Sequence, residues 1–242
     1  MHDVSELGTI LGVWAHPDDD IFQTAGLMAA AVEGGQRVVD VTATRGEGGS
    51  MDEERWPPDT MGLVRTEELL RSLEILGVPE HHFLEGPVDL DMQTGLDPAG
   101  ADQVRRIMAE VDPDTVLTFG PEGMTGHVAH QDVSRWAGAA FEEVAKPGAR
   151  LFHSVFPRSR AEEWLDQLAP FDIFLPGTPR IVDDGELDIG FELSPELLDR
   201  KLRSLKEHVS QIEGLHQVFG DEGLGRFLSI EAFVLAATKE RR

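Results

Sequence analysis

Apolar runs of strand length alternate with helix-like patterns through the first two-thirds of this chain, and that alternation leaves few folds open. "TILGVWA" (9–15), "RVVDVTAT" (37–44), "HHFLE" (81–85), "DTVLTFG" (114–120) and "RLFHSVF" (150–156) read as strands. Between them, 21–33 is Ala-rich and closed by Gly34-Gly35, and 61–77 carries apolar residues at helical spacing and ends on glycine. Further helices are expected near 99–111 and over 127–146. Strands alternating with helices at this spacing make a mainly parallel sheet covered on both faces, a three-layer, Rossmann-like α/β arrangement.

The pattern changes after 176. Asp184-Gly185 between short alternating runs predicts a hairpin, 194–213 a helix, and "FLSIEAFVLAAT" (227–238) a closing strand. This tail, about 171–242, reads as a small α+β elaboration on a core of about 9–156. No linker-like segment divides them, so 1–242 is expected to form a single domain.

The polar segments fall where such a sheet would use them. Ligands of open α/β sheets bind beyond the carboxyl ends of the strands. Those positions carry "HPDDD" (16–20), "RGEGGSMDEERW" (45–56), "EGPVDLDM" (85–92) and "PEGMTGHVAH" (121–130), four loops expected to converge on one rim. His16 offers an imidazole, and the adjacent Asp18 and Asp19 point different ways, so one can bind a metal while the other faces a reacting water. Asp20 could cap the next helix. His127 and His130 stand three apart near a helix start and can reach a common point. Two histidines and a carboxylate with an open fourth position form a recurring catalytic zinc arrangement.

Composition narrows the partners. Asp plus Glu number 45 against 21 Lys plus Arg, a net charge of −24 that repels phosphate backbones, so no nucleic-acid partner is expected. There is no cysteine, which excludes disulfides and thiolate metal sites. No apolar stretch is long enough for a membrane span, and no signal-like segment is seen, so the cytoplasm is the expected compartment. The second loop fits neither G-x-G-x-x-G nor a P-loop and reads as a mobile rim segment with Glu47 near the site and Trp56 able to cover the pocket. Arg65 opens a helix on that rim. His208 and Gln211 read as helix surface.

"AHPDDD" (15–20), "TRGEGG" (44–49), "RTEELLRSLEILG" (65–77), "GHVAH" (126–130) and "KLRSLKEHVSQ" (201–211) together resemble the PIG-L/LmbE family of zinc-dependent de-N-acetylases. That family includes the mycothiol- and bacillithiol-pathway deacetylases and the N-acetylglucosaminyl-phosphatidylinositol deacetylases. The resemblance implies one Zn²⁺ held by His16, Asp19 and His130, with Asp18 as general base and His127 stabilising the oxyanion. It implies Arg65 and Asp89 as partners of sugar hydroxyls, a small amino-sugar substrate, and self-association into a homo-oligomer. An acidic residue common before the last zinc histidine is Ala129 here, which leaves Asp132 as a candidate to orient His127. A tyrosine of some members is Thr125.

The implied reaction is removal of an N-acetyl group from an N-acetylglucosamine-type sugar, releasing acetate and a free amine. Zinc acidifies water and polarises the acyl oxygen, Asp18 moves the proton, and a protonated His127 accounts for an alkaline limb in the pH profile. The alternatives are a hydrolase of another amide or of a phosphoester on the same scaffold, or a non-catalytic sugar-binding relative.

Overall fold

A computed structural model describes residues 4–89, 93 and 95–240. In chain order the elements are β1 (Ile10–Trp14), α1 (Asp19–Glu33), β2 (Val38–Thr42), α2 (Pro58–Leu76), β3 (Glu80–Phe83), α3 (Ala99–Val111), β4 (Thr115–Phe119), α4 (Val128–Val144) and β5 (Arg150–Ser154). They continue with β6 (Phe156–Pro157), α5 (Arg158–Leu168), β7 (Ile181–Val182), β8 (Ile189–Glu192), α6 (Pro195–Leu205), α7 (Val209–Leu228) and β9 (Ile230–Thr238). The alternation expected from the sequence is present in the expected order.

Seven strands form one sheet in the order β3-β2-β1-β4-β5-β9-β8, parallel from β3 to β5. β1, β2 and β4 are buried at every position, as their predominantly apolar character requires of strands covered on both faces. α1 and α2 pack with α6, and α3 packs with α4. The chain leaves β1 toward β2 on one side, whereas β4 lies on its other side. The break in strand order between β1 and β4 is therefore the switch point at which loops diverge and leave a crevice.

The tail departs from the sequence reading in three places. Asp184-Gly185 does not make a hairpin: residues 184–186 form a 3₁₀ turn, β7 pairs in parallel with β6, and β8 pairs with β9. Contacts of Asp183 with Arg158 and of Asp184 with the Ser159 N–H tie that turn to the start of α5. The single helix expected over 194–213 is two helices, because Glu68 of α2 accepts from the Ser210 N–H (2.9 Å) and Oγ (2.6 Å) and so starts α7 afresh. The closing strand begins at Ile230 and runs antiparallel to β5, so the tail completes the main sheet. No helix among the described residues is long and apolar enough to cross a membrane.

Candidate active site

The site lies at the switch point, between the loops that follow β1 and β4. Asp18 precedes α1 with φ 99° and ψ −28°, a left-handed conformation uncommon for a residue with a side chain and concentrated where function holds it in place. This kink turns adjacent carboxylates apart. Asp18 Oδ2 faces Arg65 Nη2 at 3.4 Å, whereas Asp19 accepts from the His16 backbone N–H at 2.7 Å and lies 3.4 Å from His130 Nε2. Asp20 does not cap the helix. It is fully buried with no hydrogen-bond partner for its carboxyl oxygens among the described residues, and burial with the neighbouring Asp40 and Asp18 keeps its carboxyl well above the ordinary range.

His16 Nδ1 lies 3.1 Å from His130 Nε2 and 3.5 Å from Asp19 Oδ2. Three donor groups thus crowd one point. His130 approaches the Gly123 carbonyl through Nδ1 (2.9 Å), which fixes the N–H there and leaves Nε2 as a lone pair, and its ring stacks on Phe119 at 4.2 Å. His16 Nε2 faces Asp89 Oδ2 at 3.3 Å, so its other nitrogen is the free donor. The nitrogens of His16, His127 and His130 lie within 4.8 Å of one another, and all three residues are buried. A cluster of this composition fits a divalent metal that takes nitrogen and oxygen ligands.

His127 differs from the other two. Its Nδ1 accepts from the Ala129 N–H (3.2 Å), so the hydrogen of the neutral ring sits on Nε2, which points toward Asp89 at 4.0 Å. That arrangement donates a hydrogen bond. Burial and the nearby His16 and His130 push its pKa down to about 4, so the ring is neutral at ordinary pH. This direction runs against the imidazolium expected from the sequence and favours a neutral ring that donates through Nε2. Asp132 is also corrected. It accepts from the Leu96 N–H and pairs with Arg135, so the backbone of Ala129 itself orients His127.

The carboxylates divide as sharply. Burial lifts Asp18 to about 7, offset in part by the Arg65 guanidinium and reinforced by Asp19. Burial pushes Asp19 the same way, but His130 and His16 outweigh it and hold that carboxyl well below the usual range. Burial depresses His16, yet Asp19 and Asp89 carry it to about 9. The site therefore offers one proton-exchanging carboxylate beside one permanently charged carboxylate.

Arg65 is not a solvated helix charge. It sits buried within α2, and its Nη2 donates to the Pro17 carbonyl (2.6 Å) and its Nη1 to Gly46 (3.4 Å). Gly46, at φ +65°, makes room for it: a Cβ there would lie 2.1 Å from Nη1. Asp89 is buried, lines the cavity and keeps Oδ1 without a hydrogen-bond partner among the described residues. Glu47 does not reach the site. Its Cγ packs against Gly62 of α2, and the second loop contributes Gly48, Gly49 and Met51 to the cavity instead. Trp56 does not line the cavity either and stacks with Arg55.

His208 is a further correction, being fully buried with burial and the nearby Arg65 and Arg71 lowering it to about 3. Gln211 lines the cavity and donates to the Gly49 carbonyl (2.9 Å). The link from Glu68 through Ser210 to Gln211 and Gly49, by which the tail fixes the second loop, was missed by sequence reasoning. The "EHVSQ" stretch was its visible signal.

The cavity measures about 380 Å³ and extends from this cluster toward the tail. Comparison with known proteins agrees with the geometry. A family model described as "PIG-L: GlcNAc-PI de-N-acetylase" matches residues 11–141. A 1D-myo-inositol 2-acetamido-2-deoxy-alpha-D-glucopyranoside deacetylase from Actinosynnema mirum is 32% identical over 84% of this chain and 80% of its own length. Among solved structures, a deacetylase of the teicoplanin biosynthetic pathway superposes with TM-score 0.66 at 19% identity, covering 97% of this chain and all of that one. A 4-carboxy-2-hydroxymuconate hydratase from Pseudomonas putida does so with TM-score 0.63 at 16% identity, covering 98% of this chain and 99% of that one. The fold thus hosts more than one reaction, and the residues around the rim have to decide between them. With the family match running through both metal-type loops, this chain belongs to the PIG-L family.

Proposed function

We propose that this protein is a zinc-dependent de-N-acetylase acting on an N-acetylglucosamine-type sugar or conjugate. The observation that carries this reading is the convergence of His16 Nδ1, His130 Nε2 and the Asp19 carboxylate within 3.1–3.5 Å, with Asp18 turned aside from them. His16, Asp19 and His130 hold the metal in this reading. When bound, zinc supplies Lewis acidity toward the acyl oxygen and acidifies water.

The protein's own groups do the rest. Asp18, poised near neutrality, accepts a proton from the attacking water as its oxygen adds to the acyl carbon. His127 donates its Nε2 hydrogen to the acyl oxygen as that atom gains charge, without changing its own protonation state. Asp18 then returns the proton to the nitrogen, the C–N bond breaks, and acetate and amine separate. Arg65 Nε and Asp89 Oδ1, both buried without hydrogen-bond partners among the described residues, are available to sugar hydroxyls.

The test is amine release from a panel of N-acetylglucosaminides. Free amine and acetate should appear in equal amounts, disappear after chelation and return with added zinc. A zinc-loaded protein that releases no amine from any of them would overturn the reading. Phosphate release from sugar phosphates in its place would favour a phosphoesterase.

A further inference from the structure

The cavity has two unlike ends. Toward β1–β3 it is walled by Asp18, Arg65, Asp89, Gln211 and the backbone of Gly48 and Gly49. Toward β5 and β9 it is walled by Phe156, Phe174, Phe227, Leu168, Ile173 and Ile230. Phe156 meets Phe174 at 5.6 Å and Phe227 at 6.2 Å between ring centroids, so these rings form a connected wall.

The charged groups at this end make most of their hydrogen bonds to other protein groups. Both Glu231 oxygens accept backbone N–H groups of Gly26 and Leu27 (2.8 Å each), and Lys201 bonds the same carboxylate at 2.7 Å. Arg160 is bonded to Glu163 and to Ser229 through its terminal nitrogens, and its Nε has no partner among the described residues. An apolar recess of this kind holds an apolar group better than water.

In a trans amide the acyl chain and the sugar carbon on nitrogen lie on opposite sides of the C–N bond. If hydroxyl groups of the sugar occupy the polar end, the acyl group is directed past His127 and Phe119 into the aromatic end. We propose that this site takes amino sugars whose N-acyl group is longer and more apolar than acetyl, with the acyl chain lying against Phe156, Phe174 and Phe227. The reaction balances as before: water adds its oxygen to the acyl carbon, the C–N bond breaks, and a fatty carboxylate and an ammonium sugar leave. The proposal rests on the amidohydrolase reading above.

The experiment compares N-acetyl-, N-butyryl-, N-hexanoyl- and N-octanoylglucosamine, alongside the methyl and octyl glycosides of N-acetylglucosamine. kcat/KM should rise with acyl length by up to about fourfold per methylene, and Phe174→Asp should flatten that rise. A flat or falling series, with the octyl glycoside preferred over the methyl glycoside, would overturn the proposal and give the recess to the aglycone. Calorimetric binding of octanoate against acetate separates the two readings if no amine is released at all. Octanoate binding about tenfold tighter or more, lost in Phe174→Asp, would support the acyl recess although the proposed reaction had failed. Equal binding of the two acids would overturn the recess itself.

Discussion

The rim formed by α2 and the loops after β1, β3 and β4 and the rim formed by β6, β9 and the end of α7 enclose the same cavity but are built on opposite principles. In the first, polar atoms are left short of partners: Arg65 Nε and Asp89 Oδ1 are buried without hydrogen bonds among the described residues. In the second, the buried charges are paired and bonded to backbone, as Lys201 and Glu231 are, and aromatic rings meet the cavity. Unpaired buried polar groups cost stability, of order 1–3 kcal/mol each, and are retained where a ligand completes them. Substitutions in the first rim should therefore remove function while sparing the fold. In the second they should alter stability or preference while sparing the chemistry.

The division of labour between the adjacent carboxylates is where that contrast should be sharpest. Asp18→Asn should keep its metal and lower kcat by about 10²–10⁴-fold, whereas Asp19→Asn should lose metal on dialysis. The wild-type rate should fall as pH drops through about 7, because Asp18 must be unprotonated to accept the water's proton, and Asp18→Asn should lack that limb. Metal analysis and pH–rate profiles of both variants settle the assignment, and reversed phenotypes would exchange the two roles.

Lys201→Ala should break the second rim in the complementary way. It strands the fully buried Glu231 carboxylate, which should cost about 3–5 kcal/mol and lower Tm on the order of 10 °C. At temperatures where the variant remains folded, N-acetyl turnover should stay within a few-fold of wild type. A loss of turnover without a loss of Tm would show that the pair serves the reaction.

The smallest expected effect is that of Gly46→Ala. A methyl at this position collides with the Arg65 guanidinium and withdraws it from Asp18. Losing a neighbouring cation disfavours the ionised carboxylate, so the acid limb should move to higher pH and turnover at pH 7 should drop about tenfold or less. An unmoved limb would mean that Arg65 does not tune Asp18.

The first rim was legible in the sequence because its chemistry is compressed into short segments at strand ends. His16, Asp18 and Asp19 are near neighbours, and His127 and His130 share one helical turn. The register of a β-α repeat places such segments with little help from the rest of the chain. His208, Glu68 and Ser210 were not legible as partners, because the contact joins α2 to α7 across the fold and neither helix announces it. Nor was the aromatic recess, whose rings come from β6, the segment before β7 and the end of α7. The two misread elements of the tail share this cause: distant side chains at Ser210 and Asp184 set where helices and turns begin, overriding local pattern.

The antiparallel course of β9 has an evolutionary consequence. Because that strand enters the sheet from the opposite end, its first residues, Ile230 to Ala232, arrive at the reactive rim rather than at the far side. The segment that holds the proposed metal lies within residues 11–141, while the wall facing the acyl position comes from residues 155–232. A lineage carrying this arrangement is free to diversify what it cleaves by drift in its last third, leaving the hydrolytic apparatus untouched.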